Sequence, residues 1–226
     1  DTNDFQDDTM SIFGYDYTHD KIKGLRDFFI NAKVGYFYRL NNGAVKAQNT
    51  FATAKYGGIR GNDIKIIIAA NVDDAAKFDV TTMIDSTVIE VQTVATAADL
   101  VANKYVTFKS GATLAATAAT PLTGGTNGSA ITGAQYQAAL DAFEAYSFNT
   151  LGCLSTDDTI KRLYIAYTKR MRDEVGVKFQ TVIHNLTNVD YEGVIVIKND
   201  VTDAGEAASA AVWWFTGASA GCLVNR

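Results

Sequence analysis

The chain has 226 residues, 47% hydrophobic and 20% charged, so it carries enough apolar material for a core and is not disordered as a whole. Twenty basic residues against 25 acidic ones leave a net charge of −5, which opposes a nucleic-acid partner, and no apolar run approaches the ~20 residues of a membrane-spanning helix. His19 and His184 are the only histidines and Cys153 and Cys222 the only cysteines, too few for a multi-histidine metal site; both cysteines sit among apolar or small neighbours and read as free, buried thiols.

A first residue Asp1 rather than Met is expected of a fragment or a processed product. Residues 1–17 are acidic and polar and read as an extended arm. Thr18 is placed to cap a helix running to about Ala32, with Ile22, Leu25, Phe28 and Phe29 on one face. Val34–Leu40 is rich in β-branched and aromatic residues and reads as a strand ending at the turn Asn41-Asn42-Gly43. Five further strands follow: Thr50–Lys55, Ile64–Ala70, Phe78–Ile84, Thr87–Val94 and Tyr105–Lys109. Their partial alternation suits a half-buried antiparallel sheet. Gly111–Thr126 is Ala, Thr or Gly at 13 of 16 positions, has little to bury, and reads as a connector.

Beyond it, helices and strands alternate. Thr132 and Gln135 form a T-x-x-Q capping box ahead of a helix bearing Tyr136, Leu140, Phe143 and Tyr146. Phe148–Leu154 is a short strand. Ser155 and Asp158 open a helix with Ile160, Leu163, Tyr164, Tyr167 and Met171 inward, which Gly176 stops after Val175. Lys178–His184 and Val194–Lys198 are strands, and Asp203 with Glu206 opens a last helix to about Gly217. This order predicts an α/β (mixed α+β) fold: a mostly parallel sheet flanked by helices, with an inserted small β-rich domain. The expected domains are an arm (1–17), an α/β body (18–49 with 127–226), the β insertion (50–110) and a connector (111–126).

No catalytic constellation stands out. Gly124-Gly125-Thr126-Asn127-Gly128-Ser129 resembles a phosphate loop but lacks the Lys-Ser/Thr ending that reaches a nucleotide. It reads as a structural turn through Gly124, Gly125 and Gly128. Gly57, Gly58, Gly61 and Asn62 likewise read as a turn between strands. Asp73-Asp74 and Asp157-Asp158 are adjacent in sequence, which does not pair carboxylates for acid–base work, and Asp157-Asp158 suits a helix N-terminus. His184 closes a strand with no G-x-S-x-G companion and reads as a polar edge residue. Lys161, Arg162, Lys169, Arg170 and Arg172 crowd one helix. They form either a solvated, ion-paired face or a surface that meets a partner.

Several stretches taken in order resemble the tail sheath protein of contractile phage tails and phage-tail-like particles. Ala54-Lys55-Tyr56-Gly57-Gly58-Ile59-Arg60-Gly61-Asn62 is similar to an A-x-x-x-G-x-x-G-N segment of that family, and Leu122–Gly128 to its L-x-G-G-x-x-G. Lys169–Gly176 resembles its basic helix end, and Ala218-x-Ala220-Gly221 its small-residue helix. The match spans roughly residues 35–226, without the C-terminal domain and arm expected of the family. The resemblance implies a structural role and no cofactor. Subunits would polymerise helically around a tail tube, within a virion tail or phage-tail-like particle made in the bacterial cytoplasm. The sheath would then shorten to drive the tube through a cell envelope. The implied partners are other sheath subunits, the tube and baseplate proteins, with no nucleic acid and no membrane insertion. Two other readings stay open: an anion- or nucleotide-binding α/β enzyme domain, and a surface-recognition domain.

Overall fold

The computed structural model describes residues 1–222; the last four residues of the expected body, 223–226, lie outside the described residues. In chain order the elements are α1 (Thr2–Asp7), α2 (Thr9–Phe13), α3 (Lys23–Phe29), β1 (Ala52–Ala54), β2 (Ile64–Ala70), β3 (Phe78–Ile84), β4 (Thr87–Val94), β5 (Val106–Phe108), β6 (Thr117–Pro121), α4 (Gly133–Phe143), β7 (Thr150–Gly152), α5 (Asp158–Lys169), β8 (Gln180–His184), β9 (Val194–Ile197) and α6 (Ala211–Cys222). They fall into two compact units, Asp1–Leu40 with Ile131–Arg226, and Asn41–Ala130.

The second unit is β-rich. Its main sheet is antiparallel throughout, in the order β4-β3-β2-β6, and β1 pairs separately with β5. Ile64, Ile66 and Ile68 alternate inward on β2, opposite Val80, Thr82 and Ile84 on β3. That period of two specifies the register, because a one-residue slip would turn these side chains to solvent. The Ala/Thr-rich stretch supplies a strand rather than a free connector. β6 pairs with β2, and Leu122, just after it, is fully buried and donates its N–H to the Ile64 carbonyl (2.9 Å). An outer strand is held by its backbone ladder, so it needs few apolar side chains. Bridges Val45–Thr126 and Gln48–Thr123 bring in the flanking segments as well, so the unit takes in residues that composition assigns to the body and to a connector.

In the first unit the only parallel sheet among the described residues has three strands, β7-β8-β9. The chain is therefore mixed α/β, with more antiparallel than parallel pairing. On one face, Leu140 of α4 and Ile160, Tyr164 and Tyr167 of α5 pack with Phe179 and Ile183. On the other, Val212 of α6 packs on Val182 and Ile197. The Thr132/Gln135 capping box is present at the start of α4. α5 is capped by Asp157, whose carboxylate accepts from the Thr159 N–H (2.7 Å), rather than by Ser155 or Asp158. The helix then widens to a π turn, Arg170–Val175, and stops at Gly176, whose φ of 86° is the left-handed conformation of a helix end.

Three expectations fail here for local reasons. Residues 1–17 are not an extended arm: Asp1 makes a capping box with the Asn3 and Asp4 amides, and the resulting α1 buries Phe5 against Phe13 and Phe29. The next helix is shorter than the pattern suggests, because His19 rather than Thr18 caps it through Nδ1 and its first turn is a 3-10 turn, Asp20–Ile22. The last helix begins at Ala211; Asp203 and Glu206 close a turn instead, with the Glu206 N–H on the Asp203 carbonyl (3.1 Å). The expected strand Val34–Leu40 is also not formed: these residues join no sheet.

Candidate subunit-contact surface

α5 and its π turn carry the five basic residues singled out by sequence, and the fold splits them. Lys161 is 3% exposed, so it cannot lie on an outward face. Its ammonium donates to Asp158 (2.9 Å) and to the Asn185 carbonyl (3.4 Å), the partners a buried charge requires. The Arg172 side chain is 11% exposed and donates to the Phe179 carbonyl (2.6 Å) and to Glu192 (2.7 Å), joining the π turn to the strand region. Arg170 is bound to Glu144 at the end of α4 and lies over the Tyr167 ring. Arg162 and Lys169 are exposed; Lys169 covers the Tyr191 ring, whose hydroxyl donates to Asp173 (2.8 Å). The outward face is therefore mixed in charge: Arg162, Lys169 and Arg170 beside Asp173 and Glu174.

Glu144, Tyr191 and Glu192, which set the charge of this face, escape sequence reasoning. Their partners lie 26, 18 and 20 residues away, with no periodic signal linking them.

The two glycine turns meet each other. Asn62 bridges them, accepting the Gly125 N–H on Oδ1 (2.8 Å) and donating Nδ2 to the Gly125 carbonyl (3.0 Å). Asn127 accepts the Ile59 N–H (3.0 Å). A Cβ on Gly125 would sit 2.5 Å from the Gly58 carbonyl oxygen, so only glycine permits this approach. Gly124 and Gly128 take positive φ; Gly57 and Gly61 lie against Ala44 and Ala47. Besides Gly125, further amides of this stretch are used within the fold. Those of Thr123, Thr126 and Ser129 donate to the carbonyls of Gln48, Val45 and Asn42 (2.8–3.1 Å). What resembles a phosphate cradle is a backbone clasp.

The remaining candidates are structural too. Asp74 takes part in the turn after β2, accepting from the Ala76 N–H (3.0 Å) and pairing with Lys77 (3.1 Å). His184 is not an edge residue: it is 4% exposed, with Nε2 2.8 Å from Asp200 Oδ1. Cys153 is buried and its thiol is pushed up to about 11 by burial, whereas Cys222 is exposed, contrary to expectation. Among the described residues no group of three or more His, Cys, Asp or Glu side chains gathers as a metal site, and no helix is long and apolar enough to cross a membrane.

Comparison with known proteins finds two matching domain families. Residues 41–127 match the phage tail sheath protein beta-sandwich domain, and residues 129–226 the phage tail sheath protein central domain. The chain is 38% identical to the phage-like element PBSX protein XkdK of Bacillus subtilis (strain 168), covering 89% of this chain and 48% of that protein. It is 37% identical to the uncharacterized protein YqbK of the same organism, with the same coverage. The chain thus spans about half the length of the curated relatives it matches. The solved sheath tail protein of Desulfitobacterium hafniense superposes with a TM-score of 0.85 at 40% identity, over 95% of this chain and 53% of that one. The sheath tail protein Lin1278 of Listeria innocua gives 0.83 at 36% identity, over 96% and 51%.

Proposed function

The chain belongs to the phage tail sheath family, a structural rather than enzymatic family, and from that premise we propose that it is the β-sandwich and central part of a contractile sheath subunit. One observation carries this: two sheath domains follow one another in order along the chain, from residue 41 to residue 226. The subunit polymerises helically around a tail tube. Each copy meets the next through unlike surfaces, so the contact repeats without closing. Contraction exchanges one packing of these copies for a lower-energy one, with no nucleotide consumed. The use of the glycine-turn amides within the fold supports that last point. The partners are further sheath subunits, the tube and the baseplate, and the place of action is the tail of a phage or phage-like element.

The mixed-charge outer side of α5 is one contact face, with Arg162 and Lys169 available to a neighbour and Arg170 held by Glu144. Exposed ion pairs contribute only about 0–1 kcal/mol each, so this face orients subunits more than it holds them. The test is assembly. The polypeptide at the length of its relatives, expressed with its tube protein, should form striated sheaths visible by electron microscopy. The 226-residue chain alone should remain monomeric in light scattering. Absence of polymer from the long form under every tube and salt condition would overturn the reading.

A further inference from the structure

Residues 34–40 have the composition of a strand and belong to no ladder. Among the described residues, the backbone of Val34–Tyr38 makes no hydrogen bond, and the sheet of this unit ends at β7. Side chains nevertheless hold the segment on both faces. Phe37 is edge-on to Phe28 of α3 (5.3 Å between ring centroids) and to Phe13 of α2 (5.9 Å). Tyr36 lies against Tyr146, just beyond α4 (4.6 Å), and Tyr38 is edge-on to Phe143 of α4 (6.4 Å). Helices on both faces are how a strand of a parallel sheet is covered. Yet Val34, Tyr36 and Tyr38 remain 52, 45 and 44% exposed, as beside an unfilled neighbour position.

Handedness locates that position. The passage from β7 to β8 runs through α5, on the face of Phe179 and Ile183, and steps toward β9. α4 packs on that same face. Right-handed crossovers on one face all step the same way, so α4 brings the chain to β7 from the side away from β8, and residues 34–40 lie on the open side of β7. α3 lies with α6, whose Gly217 meets the Phe28 carbonyl, and α6 covers the opposite face through Val212. A right-handed crossover on that face steps the other way. A parallel strand leading into α1–α3 would then sit between residues 34–40 and β7.

We propose that residues 34–40 are a strand of this parallel sheet, and that a further parallel strand, from the sheath polypeptide preceding α1, fills the place between them and β7. The occupant is upstream polypeptide because α1–α3 lead into residues 34–40 on the face opposite α4, as a crossover from a preceding strand would, and the curated relatives run to about twice the matched length, 48% of each being covered, which leaves residues to supply it. β7 offers the matching edge. Its Cys153 N–H and Asn149 carbonyl serve β8 (2.9 and 3.1 Å), which turns the Thr150 and Gly152 amides to the open side. The completed order, numbered along the chain, is 2-1-3-4-5, a doubly wound sheet.

Amide hydrogen exchange tests this, comparing the 226-residue chain with the same chain extended upstream by its natural sequence. The Thr150 and Gly152 amides and alternate amides of 34–38 should exchange quickly in the short chain and at least ~100-fold more slowly in the extended one. Amides of β8 and β9 should be protected in both, as the control for folding. Unchanged exchange at 150 and 152 in the extended chain would overturn the proposal. So would protection in the short chain that rises with concentration, since a second copy would then fill the place. Protection of 34–40 without 150 and 152 would put the new strand on the outer edge and would equally overturn it.

Discussion

Gly125 illustrates how one residue can decide a local structure. Its missing side chain lets two turns touch, and Asn62 then closes them with two hydrogen bonds. Gly125→Val should cost about 1–3 kcal/mol through overpacking, and more if the Asn62 bonds open. Calorimetry should show a lower melting temperature, while titration with ATP or GTP should give no heat for either form. The two thiols separate in the same way. Burial raises Cys153 to about 11 and Cys222 is exposed, so a disulfide reagent at pH 8 should modify one thiol at once and the second only on unfolding. Acid stability depends on Asp79 and Asp74. Asp79 accepts from Thr93 (2.6 Å) and Asn71 (2.9 Å), and Asp74 from the Ala76 N–H and Lys77; these bonds hold both carboxyls below their ordinary 3.8. Their folded-state values are depressed, so the stability they contribute is complete above about pH 4 and fades as the pH falls through the folded values. The unit's melting temperature should drop below that pH, and Asp79→Asn should flatten the drop.

At the scale of elements, α3 and α6 of the first unit approach each other through glycine. A Cβ on Gly217 would collide with the Phe28 carbonyl, and one on Gly24 would strike the Trp213 ring. Helix axes this close need glycine at the crossing, whatever its lower helix propensity. Gly217→Ala should therefore destabilise the chain by roughly 1–3 kcal/mol, against the gain expected of Ala in an isolated helix. Chemical denaturation with an unchanged slope would identify a packing loss in the folded state. β6 offers the opposite lesson. Its side chains bury little, so composition reads it as a connector, yet its ladder to β2 orders it. Proteases should consequently spare residues 117–121 as long as that sheet is folded.

For the whole molecule, charge on α5 separates assembly from folding. In the assembling polypeptide, reversing Arg162 and Lys169 together should weaken polymers while the far-UV spectrum stays unchanged. Reversing Lys161 should instead unfold the chain, because a buried carboxylate would face Asp158 and the Asn185 carbonyl. Sedimentation of both variants, with circular dichroism alongside, distinguishes the two effects. Much of this architecture is local in origin. The alternation of β2 and β3, the Thr132/Gln135 box and the stop at Gly176 depend on neighbours within a few residues, and so does the ordered set of glycine motifs shared with sheath proteins. Those features the sequence by itself determined. The tertiary structure alone decided which basic residues of α5 face outward, how the two glycine turns clasp, and that β6 is a strand. Each depends on partners brought together from distant stretches: Asn62 with Gly125 across 63 residues, Arg170 with Glu144 across 26, and β6 with β2. No periodicity of 2 or 3.6 residues encodes such pairings; they exist only once burial has chosen which surfaces meet.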